Sequence, residues 1–324
     1  MRGIALEASG GRILFVGVGT SGCRIVNLLQ SRGIRAAYLF ASLDEEDLEA
    51  TDGVNMNGWD EDEIRSYVGG AATGRGVAFV VAGLGGSSGS SLAPRLARAA
   101  EAAGTDTFGV ALLPFKYQKW MEYKAGVGIN KMKNCCRGML VVDREQFVEE
   151  SLEELPLSRL YEMIDGKVAD ALEALFIAGD GKTPAVELRK LTKMMERGKA
   201  TLEIRDLSGG FDEGIASLVR RAYEAGQGDV DEVMIYSSGN RPITFEQAKF
   251  SAEGLKSLLG SEMKIHYGSK VSERGSAVVA MVMAMGEGSK LRVYDPVAQV
   301  LGGRSLDEEP EQGLAIDLGI PTLD

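Results

Sequence analysis

Two glycine-rich stretches constrain this chain more than any other feature. The first, GVGTSG from Gly17 to Gly22, follows the apolar run Ile13 to Val16. The second, GLGGSSGSS from Gly83 to Ser91, follows Val77 to Ala82 and packs four glycines and four serines into nine positions. Both sit where an apolar run gives way to a helical pattern. Glycine at such a joint permits backbone angles and close approaches that a Cβ forbids. The start of the following helix offers unpaired N–H groups and a partial positive charge, which suits an anion and above all a phosphate. For either stretch taken alone, a tight turn with no ligand is the competing explanation.

The surrounding pattern places both joints on one sheet. AAYLFAS, TFGVALLPF and GMLVVD read as further strands, and their unbroken apolar runs suit strands buried on both faces. LAPRLARAAEAAG reads as a helix with Pro94 in its first turn, where a missing N–H costs little. Strands alternating with helices predict a parallel, doubly wound α/β sheet. Residues 156–177 form a long helical pattern with the apolar stripe Leu160, Met163, Ile164, Val168, Leu172 and Leu175. A second helix, AVELRKLTKMMERG, follows, and then a small α/β module. The expected divisions are 1–160, a nucleotide-binding domain; 161–200, the central helix with its loop and following helix; 201–287, a smaller C-terminal α/β domain; and 288–324, an acidic linker with a terminal peptide.

Charge and composition narrow the function. A net charge of −11 argues against a general binder of nucleic acid or anionic membrane. The three cysteines, Cys23, Cys135 and Cys136, form no C-x-x-C and read as free thiols in a reducing cytoplasm. No run of 18 apolar residues predicts a membrane span or direct insertion, and the N-terminus lacks the apolar core of a signal peptide. With His266 as the only histidine, Ser-His-Asp catalysis and histidine-rich metal sites are close to excluded, and no metal ligands are assigned.

GVGTSG is a literal G-x-G-x-x-G, but a dinucleotide site calls for an acid ~20 residues on, at the end of the second strand. YLFAS ends without one, and Asp44 comes late. A dehydrogenase would also have no use for the second glycine loop. Neither loop holds the lysine of a Walker P-loop. Two loops on neighbouring strand ends suit a longer phosphate chain gripped from both sides.

At this point the sequence resembles the tubulin/FtsZ superfamily, FtsZ more than tubulin. The resemblance rests on VGVGTSGCRIVN, AGLGGSSGSSLAP, LPFKYQ, LPLSRLYEMID, the C-terminal module from DEVMIYSSG to MVMAMG, and the final AIDLGIPTLD, all in family order. It covers residues 12 to 286 and the last peptide. It implies a Rossmann-like GTP-binding domain, a long central helix and a smaller α/β C-terminal domain. It also implies GTP or GDP as ligand, with Mg2+ as a candidate companion.

The resemblance assigns phosphate contacts to Gly17, Gly19 and Gly22, with Thr20 and Ser21 replacing family glycines. Arg24 replaces an asparagine, and either faces the phosphates or points to solvent. Asp44 fits the acid of the second family loop. Gly85, Gly86, Ser87, Ser88 and Gly89 fall on the signature loop, where Ser88 keeps a hydroxyl for phosphate or a magnesium-bound water. Gln118 replaces the ribose-side glutamate, and Glu122 an arginine. Tyr161 would stack on the base, and Asp165 would accept from guanine N1–H and N2–H2. An ordinary core aromatic is the competing explanation for Tyr161.

The family hydrolyses GTP with two acids supplied by the next subunit. Here the corresponding stretch, GDGKTPAVELRKLTKMM, holds only Asp180 and Glu187, with Arg189 and Lys190 where acids are expected. Hydrolysis needs an oriented water and charge at the transferring group. The resemblance thus implies nucleotide binding with weak or lost turnover, Glu187 being the one substitute catalytic acid. Regulation of, or co-assembly with, FtsZ-type subunits follows from this view. The alternatives are an active filament-forming GTPase and a pseudo-GTPase interaction module without nucleotide. The terminal patch Ile316 to Leu323 resembles the family peptide that docks on membrane adaptors of the FtsA or SepF kind. It implies a cytoplasmic protein recruited to the membrane or division site.

Overall fold

The computed structural model describes residues 13–148, 155–176, 188–196, 199–206, 211–225, 230–239, 242–259, 262–271 and 278–285. The chain opens with β1 (Ile13–Val18), α1 (Gly19–Ser31), β2 (Ala37–Ser42), the short β3 (Val54–Asn55) and α2 (Glu61–Ala72). It continues through β4 (Val77–Gly83), α3 (Ser87–Ala102), β5 (Asp106–Leu113), α4 (Lys119–Lys133), β6 (Gly138–Asp143) and the long α5 (Leu157–Phe176). Then come α6 (Leu188–Met195), β7 (Lys199–Asp206), α7 (Phe211–Ala225), β8 (Val230–Gly239), α8 (Phe245–Leu259), β9 (Lys264–Val271) and β10 (Val278–Met285).

Among the described residues ten strands join one sheet, in the order β3-β2-β1-β4-β5-β6-β7-β10-β8-β9. Every pairing is parallel except those of β10, which runs antiparallel to both β7 and β8. The expected α/β class and parallel sheet are therefore present. The C-terminal module does not stand on a sheet of its own: β7 pairs with β6 from Met139↔Lys199 to Val141↔Thr201.

Burial on both sheet faces explains the apolar runs. Phe15 faces α1 and α5, whereas its neighbours Leu14 and Val16 face α2, α3 and α4. Phe15, Phe79 and Phe108 stand side by side in register across β1, β4 and β5, with ring centroids 5.8 and 5.9 Å apart. Phe176, at the end of α5, packs 4.1 Å from Phe79. Burying such a ring stabilises the fold by about 2–3 kcal/mol. It also fixes where α5 crosses the sheet. Arg32, directly after α1, secures the same crossing by pairing with Asp170 at 2.7 Å and Glu173 at 3.1 Å.

One expectation fails locally. α3 begins at Ser87, so Pro94 lies inside the helix and not in its first turn. The serine run is the helix start itself: Gly86 is the N-cap, and Ser87 is the first helical residue. Pro94 has no N–H, so the Ser90 carbonyl forgoes its intrahelical bond.

Candidate functional site

Strand order reverses between β1 and β4, because the chain leaves β1 towards β2 on one side and reaches β4 on the other. Open α/β sheets bind ligands at such a switch point, outside the carboxyl ends of the strands. A crevice of about 400 Å³ lies there. Gly19, Thr20 and Ser21 from the first turn of α1 form part of its lining, and Gly86, Ser87, Ser88 and Gly89 from the start of α3 form another part. Neither helix has a side-chain cap on its first N–H groups, and neither has an acid in its first turn. Two positive helix ends therefore converge on one cavity.

The glycines divide by role. Gly19 takes φ +66°, and a Cβ there would lie 3.2 Å from Ser88 Cβ, so the two helix starts touch. Gly17 and Gly22 lie outside the crevice lining. A Cβ on Gly22 would run into the Val81 carbonyl oxygen, and one on Gly17 would lie 2.7 Å from the Gly22 carbonyl oxygen. Both let α1 sit close against the strands. Gly85, at φ +97°, is also outside the lining and lies beneath the Met121 carbonyl. Gly89 lines the crevice and has no room for a Cβ against the Gly83 carbonyl, whereas Gly86 faces open space.

The serines and threonine form a relay around Asp47. Asp47 Oδ1 accepts from Thr20 Oγ1 at 2.6 Å, and Oδ2 accepts from Ser42 Oγ at 2.6 Å. Ser42 has spent its proton on the carboxylate, so Ser88 is the donor in the 2.9 Å contact between the two serine hydroxyls. Ser88 Oγ also accepts from the Leu43 N–H at 3.1 Å. The hydroxyl expected to face phosphate is thus directed into the β2 turn, because a buried hydroxyl takes the nearest acceptor. Ser91 donates back to the Ser87 carbonyl at 2.5 Å and lies outside the crevice lining. Asp44 lines the crevice, exposed, and caps the Glu46 N–H at 3.1 Å.

The other end of the crevice is aromatic and cationic. Tyr161, on the second turn of α5, lines it between Phe115 (centroids 5.4 Å apart) and the Arg144 guanidinium (5.1 Å from the ring centre). Gln118 is outside the lining; its Oε1 accepts from the Phe115 N–H at 3.2 Å and from Tyr161 OH at 3.3 Å, so it braces the ring. Glu122 pairs with Lys119 at 3.1 Å. Asp165 is fully buried behind this wall and does not line the crevice. Its Oδ2 accepts from Arg24 Nη1 at 2.9 Å, and its Oδ1 lies 4.0 Å from Arg144 Nη2. Burial raises the Asp165 acid from 3.8 to about 6, and the guanidiniums of Arg144 and Arg24 oppose that rise. Burial likewise pulls Arg144 below its ordinary value, with Asp165 and Tyr161 opposing.

Arg144 and Asp47 are the residues the sequence reading missed. Arg144 lines the crevice, donates to Ser21 Oγ at 2.7 Å and to the Leu113 carbonyl at 3.1 Å, and is almost wholly buried. Its signal was position: it follows β6 directly, at the carboxyl edge of the sheet. Asp47 follows the expected Asp44 by three residues and was obscured by the run of acids around it. Asp180 and Glu187 lie outside the described residues, as does the terminal patch Ile316 to Leu323. Arg189 and Lys190 are exposed on α6. Among the described residues no cluster of three metal-ligating side chains forms, and no helix is long and apolar enough to cross a membrane.

Chemically, the crevice offers two helix N-termini and two guanidiniums at its wall, an aromatic ring at one end, and two carboxylates, Asp44 and Asp47, at the other. Such a site suits an elongated polyanion that carries a flat ring. Residues 50–151 match the model of the Tubulin/FtsZ family, GTPase domain. Cell division protein FtsZ 2 of Methanocaldococcus jannaschii is 25% identical over 312 residues, covering 86% of this chain and 80% of that protein. Cell division protein FtsZ 1 of Thermococcus kodakarensis is 26% identical over 338 residues, covering 94% and 79%. Among solved structures, an empty FtsZ dimer from M. jannaschii superposes with a TM-score of 0.72 at 20% identity, covering 89% of this chain and 92% of that one. CetZ2 from Haloferax volcanii, in a GTPγS-bound protofilament, gives 0.65 at 21% identity, covering 90% and 99%.

Proposed function

We propose that this chain, a divergent FtsZ-like protein of the tubulin/FtsZ superfamily, binds a guanine nucleotide in the crevice between α1 and α3 and turns it over slowly. The observation that carries this reading is the convergence of two uncapped helix starts on one cavity at the switch point. The phosphates lie along Gly19 to Ser21 and Gly86 to Gly89, where backbone N–H groups serve as donors. The base lies at the Tyr161 end. Asp44 and Asp47 are the carboxylates able to hold a Mg2+, which binds phosphates with one or two carboxylates and several waters.

Slow turnover follows from the scarcity of acids in 179–195, where Glu187 is the only acid after Asp180. The cytoskeletal or division setting follows the relatives, whose solved forms include a dimer and a protofilament. Self-association or co-assembly with FtsZ-type subunits is accordingly the expected partner mode, with Ile316 to Leu323 as the adaptor contact in the cytoplasm. Phosphate release from GTP, measured with and without an FtsZ-type partner, tests the turnover. Slow release in both cases fits, whereas fast release by the chain alone contradicts it. The bond from Arg24 to Asp165 favours a second reading, an interaction module without nucleotide, which an absence of GTP binding would establish.

A further inference from the structure

Arg24 occupies the carboxylate that the proposed site would use to read a base. Guanine offers Asp165 two parallel donors, N1–H and N2–H2. A guanidinium offers the same fork of parallel N–H groups. Arg24 Nη1 already donates to Asp165 Oδ2 at 2.9 Å. Asp165 is fully buried, and it is Arg24, not Asp165, that lines the crevice.

We propose that Arg24 is an internal competitor for guanine: its guanidinium sits on Asp165 in place of the base edge, and guanine selectivity is gained only when Arg24 is displaced. This inference rests on the guanine-nucleotide reading above. Three observations support it. The Arg24 side chain is 34% exposed and Asp165 is 0% exposed, so the arginine is the partner free to leave. Among the described residues Asp165 Oδ1 accepts no hydrogen bond of good geometry, and the nearby Ser21 hydroxyl serves Arg144 as an acceptor, so that oxygen can take a second donor. Arg144 stays nearby, 4.0 Å from that oxygen and anchored to Ser21 and the Leu113 carbonyl, so Asp165 keeps a counter-charge when Arg24 departs. Adenine presents no such pair of donors to a carboxylate, so it gains nothing from the displacement.

The test is calorimetric titration of the full chain with GTP and with ATP, using wild type, Arg24→Ala, Arg24→Gln, and Arg24→Ala combined with Asp165→Asn. Loss of the Arg24 charge weakens both nucleotides alike through their phosphates, so the ratio of the two affinities is the readout. A population held closed by an internal contact lowers apparent affinity by the fraction competent to bind, and its removal restores that factor. The expected result is a GTP-to-ATP preference about tenfold larger in Arg24→Ala than in wild type. The Asp165→Asn combination should abolish that gain. Thermal unfolding checks that each variant folds. If Arg24→Ala does not fold, Arg24→Gln, which is shorter and has no charge to hold it on Asp165, carries the same comparison. Wild-type GTP binding with an unchanged or smaller preference in the Arg24 variants overturns the competitor role and leaves the function standing. Absence of nucleotide binding in wild type and variants overturns both.

Discussion

Thr20 Oγ1 donates to Asp47 Oδ1 at 2.6 Å, and that bond ties the first turn of α1 to the turn that follows β2. The other Asp47 oxygen takes Ser42, and Ser42 takes Ser88, so one carboxylate links both glycine loops. Asp47→Ala removes two hydrogen bonds to a charged acceptor. Each is worth about 1.5–3 kcal/mol at most when buried, and less at the exposed Thr20. The expected outcome is a loss of about 2 kcal/mol in urea unfolding, together with weaker nucleotide binding. An unchanged urea midpoint would show that the relay does not hold the loops.

The glycines predict a contrast. A Cβ at Gly22 or Gly89 meets a backbone carbonyl, of Val81 or Gly83, that cannot step aside. Gly22→Ala and Gly89→Ala should each cost about 2–3 kcal/mol of stability. Gly86 has open space around its missing Cβ and lines the crevice. Gly86→Ala should keep its melting temperature and lose nucleotide affinity. Equal melting temperatures for all three variants would contradict this division.

Asp165 gives stability a pH dependence of definite sign. Burial raises its acid from 3.8 to about 6 in the fold, against the pull of Arg144 and Arg24. The fold therefore favours the neutral acid. The contribution is complete below the unfolded value, falls as pH rises towards about 6, and is flat above it. Asp165→Asn lacks this slope, although the lost ion pair shifts its whole curve. Urea midpoints for variant and wild type should diverge in the variant's favour across that interval. Parallel curves would mean that Asp165 does not titrate in this way.

Tyr161 is held by Phe115, Arg144 and Gln118 at the end of the crevice. Stacking of a base on an aromatic ring is worth about 1–3 kcal/mol. Tyr161→Ala should weaken GTP binding about tenfold or more, read by titration beside a circular dichroism check of folding. Unchanged affinity would remove Tyr161 from the site.

Much of this architecture is legible in the sequence, for physical reasons. β1, β2, β4, β5 and β6 are buried on both faces, and such strands write themselves as apolar runs. α5 shows its stripe because one face packs on the sheet and the other does not. α4 buries Ala125, Gly126 and Gly128 beside Ile129 and Met132, so its pattern has little contrast. α2 carries Gly69 and Gly70 near its end, which weakens its helical signal. At the site, the two loops were visible because glycine betrays close backbone approach. Asp165 and Arg144 were not visible as a pair: they stand 21 positions apart in sequence, and only the passage of α5 beside the end of β6 brings them together.

The central claim is that the crevice between α1 and α3 holds a guanine nucleotide, and calorimetric titration of the wild-type chain with GTP, GDP and ATP tests it most directly. The account predicts micromolar binding of GTP and GDP, with ATP clearly weaker. No heat of binding with either guanine nucleotide, or equal affinity for ATP, would contradict it.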